Sequence, residues 1–191
     1  MARPGKIALS LTLCWSMQIY FTFSAFGQVP SRVAEERKPE SLSQLPLEVR
    51  RDLAKRQCLI PRYSEEAGLK DGGYARSHFR SGTSVDYAIV CHIPRGKAQN
   101  VLVYSNSKGV WKGEVIQRTS FDPSPARNDC EATVAIAAPK YILEHAQAYA
   151  PAEVKALPRL DHNGVEVWVC DKASVVYYFH QGRWLQLAGA D

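Results

Sequence analysis

Two stretches of the chain place a carboxylate and an imidazole close together, Asp86 with His92 on one apolar run and Asp161 beside His162. An imidazole oriented by a carboxylate is the smallest unit that performs general acid–base chemistry, so these pairs are where a hydrolytic site would first be sought. Cys91 and His92 are consecutive on a strand-like run, so their side chains point to opposite faces and form no direct dyad. The remaining histidines, at 78, 145 and 180, are scattered, and Tyr141 with His145 falls at the spacing of one packed helix face. The chain has no G-x-S-x-G elbow, H-E-x-x-H, G-x-G-x-x-G or Walker A loop, and no cofactor is implied. Four aromatics, Tyr104, Trp111, Tyr178 and Trp184, stand near the ends of apolar runs and are the candidate binding residues, lining a cleft between two β units. The alternative is that these rings are core.

Arg3 and Lys6 precede an apolar stretch from Ile7 to Phe23, and small residues at Ala25 and Gly27 follow, the layout of a cleavable export signal over residues 1–27. The mature chain is then expected to start near Gln28, with no permanent membrane span after cleavage; the alternative is an uncleaved anchor, for which the stretch is short and interrupted by Ser16 and Gln18. Removing Cys14 with the signal leaves four cysteines, Cys58, Cys91, Cys130 and Cys170, an even number suited to an oxidising compartment. Four cysteines allow three pairings; Cys58 with Cys91 and Cys130 with Cys170 is favoured, because each joins a segment end to the next apolar strand. In the chain-entropy model a bridge over such a loop stabilises by about 3 to 4 kcal/mol. Without Arg3 and Lys6 the 24 basic residues fall to 22 against 19 acids, a net charge of +3, too small a bias to imply a nucleic-acid partner.

Residues 28–42 are polar and charged without apolar periodicity, the pattern of a flexible leader before a single domain over 43–191. Leu45, Val49 and Leu53 recur every fourth residue and predict a helix from Pro46 to Gln57, which Pro61 then separates from further regular structure. Its RRDLAKR charges read as a solvated face in preference to an anion site. From Tyr74, short β-branched and aromatic runs separated by turn residues predict an antiparallel meander of four strands. CEATVAIAAP is a further strand, KYILEHAQAY a second helix, and VEVWVCD, ASVVYYFHQ and RWLQLAG three more strands. The fold class is α+β: antiparallel β-meanders with two short helices. Residues 82–115 and 161–187 share a layout in which an acid-containing strand is followed by an aromatic strand and a Gly turn into Trp, which suggests an internal β repeat.

This layout resembles FG-GAP or VCBS-type β repeats, although two units cannot close a propeller. That resemblance implies a calcium-loop candidate at Asp161, Asn163 and Glu166, with fewer acids than those loops carry. LPLEVRRDLAKRQCLIP together with KASVVYYFHQGRWLQLAGAD resembles a group of uncharacterised exported bacterial proteins that carries no activity to transfer. Together these features imply a secreted or periplasmic, non-enzymatic binding module for an envelope or extracellular glycan, peptide or protein. The competing expectation is a hydrolase of an envelope or extracellular polymer using a His/carboxylate site.

Overall fold

The computed structural model describes residues 33–63, 72–96, 98–120, 132–149, 159–169 and 173–189. The meander following Tyr74 forms one four-stranded antiparallel sheet, β3 (Tyr74–Ser77), β4 (Asp86–Ile93), β5 (Ala98–Ser107) and β6 (Val110–Ser120), in that order. A second antiparallel sheet has the order β10-β9-β8-β7, from β7 (Ala132–Ala137), β8 (Gly164–Val169), β9 (Ala173–His180) and β10 (Arg183–Ala188). Alternation along the strands decides what each face buries. Ala88, Val90, Val101 and Val103 of the first sheet meet Val134, Val165, Val167 and Tyr177 of the second in a dry core between them.

The outer face of the first sheet, Tyr87, Ile89, Cys91, Leu102 and Tyr104, is covered by α1 (Leu47–Lys55) through Val49 and Leu53, joined by Leu42 and Leu45. The outer face of the second sheet is covered by α2 (Pro139–Tyr149), which inserts Ile142 and Ala146 among Val176, Tyr178 and Leu187. The layers are thus helix, sheet, sheet, helix. At the end of α1 the Cys58 N–H bonds to Leu53 O and the Gln57 N–H to Ala54 O, with Gln57 in the left-handed region at φ 58°. That is a Schellman close, in which glycine is the unstrained residue. Cys58 then bridges to Cys91 at the middle of the sheet, with Cα atoms 5.0 Å apart; the expected Cys130–Cys170 bridge lies outside the described residues.

Two expectations need correction. The leader does not stay irregular to Leu42: β1 (Val33–Arg37) pairs antiparallel with β2 (Ile60–Tyr63), and Leu42 is 3% exposed in the α1 core. Glu36 and Arg37 find fixed partners there, which polarity alone does not reveal. Nor does Pro61 end regular structure, since it sits inside β2 opposite Glu36. A proline is tolerated in a strand where its missing N–H breaks no ladder.

The two tight hairpins are built alike. Lys108-Gly109 (φ 53° and 85°) and Gln181-Gly182 (φ 48° and 80°) each form a two-residue turn with both φ positive, and Trp111 and Trp184 follow at the same offset. Their faces differ, however: Tyr104 and Trp111 lie on the α1 side of the first sheet, whereas Tyr177 and Trp184 face the space between the sheets.

The join between the sheets runs through Gly72 and Gly73. Gly72 O accepts from the Val134 N–H and Gly73 O from the Val90 N–H, both at 2.8 Å. A Cβ on Gly73 would lie 1.9 Å from Pro61 O, a backbone atom that has no room to move. Gly73→Ala should therefore lower the unfolding free energy by about 3 kcal/mol or more in urea melts. Gln57→Gly, which relieves the left-handed close of α1, should raise it by about 0.5 to 1 kcal/mol in the same assay.

Candidate functional site

Of the residue pairs singled out above, Asp86 and His92 do not meet. Asp86, fully buried, accepts the Phe79 and Arg80 N–H groups at 2.9 Å each. Burial pushes its carboxyl above the ordinary value against the pull of these donors, and its task is to hold the 79–84 loop. His92, also fully buried, lies between Glu36 Oε1 at 2.9 Å and Gln99 Oε1 at 2.8 Å. Gln99 Oε1 also accepts the Ala132 N–H at 3.1 Å, and a backbone N–H only donates, so this atom is the amide oxygen and His92 Nε2 donates to it. His92 therefore fastens β1 and the start of β7 to the first sheet.

Asp161 and His162 do meet, at 2.7 Å, and the hydrogen bond from His162 holds the exposed Asp161 carboxyl below its ordinary value. The other ring nitrogen donates to Phe179 O at 2.8 Å, so both nitrogens are engaged. The calcium trio is not assembled. Asn163 is bonded to Ser77 Oγ and His78 O, Glu166 lies under α2, and among the described residues no three His, Cys, Asp or Glu side chains converge on a metal position.

The four aromatics share no cleft, since they lie on three faces. Tyr104, 1% exposed, donates to Asp52 Oδ2 at 2.7 Å, and Gly113 beneath its ring leaves it room. Trp111 tilts against Tyr87 at 5.6 Å, and Tyr178 is packed on the α2 side. Trp184 meets Phe179 edge-on at 5.4 Å, and Arg80 stacks on the Phe179 ring at 4.2 Å. With its indole N–H on Glu114 of β6 at 3.2 Å, Trp184 ties the two sheets together.

What the fold does gather is a polar cluster on the outer face of the second sheet. Alternation along β8 turns Val165 and Val167 into the dry core and Glu166 the other way, beneath α2. Gly164 lets the helix come close: a Cβ there would lie 2.9 Å from Ile142 Cδ1. The approach brings the Tyr141 hydroxyl to Glu166 Oε1 at 2.8 Å, and Ser174 Oγ of β9 donates to the same oxygen at 2.8 Å. One turn along α2 from Tyr141, His145 places its ring 5.5 Å away, 8% exposed.

Glu166 is only 7% exposed, and Oε2 receives no hydrogen bond among the described residues, yet it is not among the atoms sealed from solvent. A carboxylate held by two hydroxyls with one oxygen uncommitted accepts a donor from a ligand or takes part in proton transfer. Glu166 sits apart from the Asp161 and Asn163 of the expected calcium loop, and Ser174 is a partner that the sequence pattern does not single out. The signal available was a polar residue inside each apolar run, VEVWV and ASVVYYF. Comparison of the chain with protein-family models, with curated proteins and with solved structures found no match.

Asp52 shows the contrasting, saturated arrangement. Burial raises its carboxyl, but hydrogen bonds from Tyr104 and Arg56 with the charges of Arg56 and Lys55 outweigh that and hold it below 3.8. A depressed carboxyl stabilises the fold above its unfolded pKa, and that contribution is lost as pH falls through the folded value. Tyr104→Phe should cost about 0.5 to 1 kcal/mol at pH 7, small because Asp52 is partly solvated, and the difference from wild type should shrink as pH drops below 3.8 in paired urea melts.

Proposed function

We propose that the chain is an exported, non-catalytic binding module of the cell envelope or extracellular space, and that it contacts its ligand, a glycan, peptide or protein, at the α2 side of the second sheet. The observation that carries this reading is the uncommitted Oε2 of Glu166 on an otherwise buried side chain. His92 and His162 support it by contrast, since each spends both ring nitrogens on fastening segments. The Cys58–Cys91 bridge suits an oxidising compartment, and no described helix is long and apolar enough to cross a membrane. The signal-like segment at residues 1–27 supplies the route of export.

A hydrolase of an envelope polymer is the second reading, favoured by His145 lying against the Tyr141 ring, whose hydroxyl reaches Glu166. Against it, Ser174 donates directly to Glu166 with no imidazole between them to take its proton. One experiment separates the two. Exported protein, expected to start near Gln28 by N-terminal sequencing, is immobilised and loaded with fractionated envelope glycans and peptides. The bound material should be recovered chemically unchanged by mass spectrometry, whereas cleaved products would favour the hydrolase.

A further inference from the structure

We infer that Glu166 is the receptor for a primary ammonium group, so that the ligand of this site is an amine-bearing molecule such as an amino sugar or a peptide with a free amino group. The inference rests on the binding-module reading and specifies its chemistry. Among the described residues no Lys, Arg or His forms an ion pair with Glu166, although the side chain is 7% exposed. A buried carboxylate without a countercharge is costly, and neutral hydroxyls offset that only in part. Both hydroxyls donate to Oε1, from opposite sides of the site, Tyr141 from the helix and Ser174 from the sheet. They engage Oε1 and leave Oε2 with no donor among the described residues, although Oε2 is not among the atoms sealed from solvent.

A ligand hydroxyl could also donate to Oε2, but it would bring no charge. An ammonium supplies both a charge-assisted hydrogen bond and a positive charge, which no described Lys, Arg or His brings to Glu166. The surrounding apolar residues, Ile142, Val176 and Leu187, lower the local dielectric and strengthen such a pair.

The test uses the full exported chain, with n-propylammonium and its neutral isostere propan-1-ol as probes, followed by amide chemical shifts. Propylammonium should perturb amides around Tyr141, Glu166 and Ser174, and propan-1-ol should bind at least tenfold more weakly. Glu166→Gln should weaken propylammonium binding at least tenfold with a melting temperature no lower than that of the wild type. Should that variant not fold, the wild-type shift map decides, since perturbations centred away from these three residues overturn the inference. Equal binding of the two probes, or undiminished binding by a folded Glu166→Gln, overturns it too. A wild-type chain that captures an envelope ligand yet ignores propylammonium removes the ammonium assignment and leaves the binding module standing. Failure to capture any ligand while propylammonium still binds at Glu166 does the reverse.

Discussion

Two consecutive carbonyls hold the sheets together. Gly72 O bonds to β7 and Gly73 O to β4, so a single dipeptide hydrogen-bonds to both sheets and closes one side of the sandwich. The same spot is crossed by β2, whose Pro61 O and Tyr63 ring fill the space a Cβ would need, while the Tyr63 hydroxyl donates to Ala132 O. Only glycine meets that packing, because any larger residue must displace backbone. The dry core forms between the sheets because this join sets them face to face, and α2 finds its seat because β7, from which it emerges, is anchored there.

The polar groups buried in this frame fall into two kinds. Asp86, His92 and His162 hold segments together and are satisfied by backbone groups or by neighbouring side chains. Such groups set register and loop shape, since each partner lost would leave a desolvated donor or acceptor at a cost of about 1 to 3 kcal/mol. Glu166 differs in having one oxygen served twice and the other not at all. An imbalance of this sort is a feature of recognition sites, where part of the hydrogen-bonding capacity is kept for a ligand.

Periodicity in the sequence was enough for the meanders and both helices, because apolar alternation and the Leu45, Val49 and Leu53 spacing are local signals that packing then reinforces. β1 was hidden for the opposite reason. Its residues, VAEER, are charged, and only the remote partners Ile60–Tyr63 and His92 make them a strand. The proposed aromatic cleft failed on a question of face. Tyr104 and Tyr177 occupy like places in their hairpins, yet one looks toward α1 and the other into the core, and no local pattern records which side of a sheet a distant element covers. The pairing of Asp86 with His92 failed similarly, since each found a nearer partner through the tertiary fold.

That reversal of faces bears on Glu166 itself. Aligning the hairpins at their Gly turns makes Tyr104 equivalent to Tyr177, and the ladders then make Tyr87 equivalent to Val165. By the same register Ala88 matches Glu166 and Val101 matches Ser174. In the first sheet these positions point into the space between the sheets and are apolar, as a dry core requires. In the second sheet they point the other way, beneath α2, and become a carboxylate and a hydroxyl that bond to each other. The ladder geometry is common to both sheets and so cannot be what demands a polar pair. Nor does burial, since Ile142, Val176 and Leu187 around it form an ordinary apolar seat for the helix. An alanine and a valine would fill that seat without a desolvated carboxylate, but they would take away the acceptor that the Tyr141 hydroxyl uses. With the Tyr141 hydroxyl the polar pair ties α2 to β8 and β9 through Oε1, and Oε2 is the oxygen left over from that tie, the one proposed above for recognition.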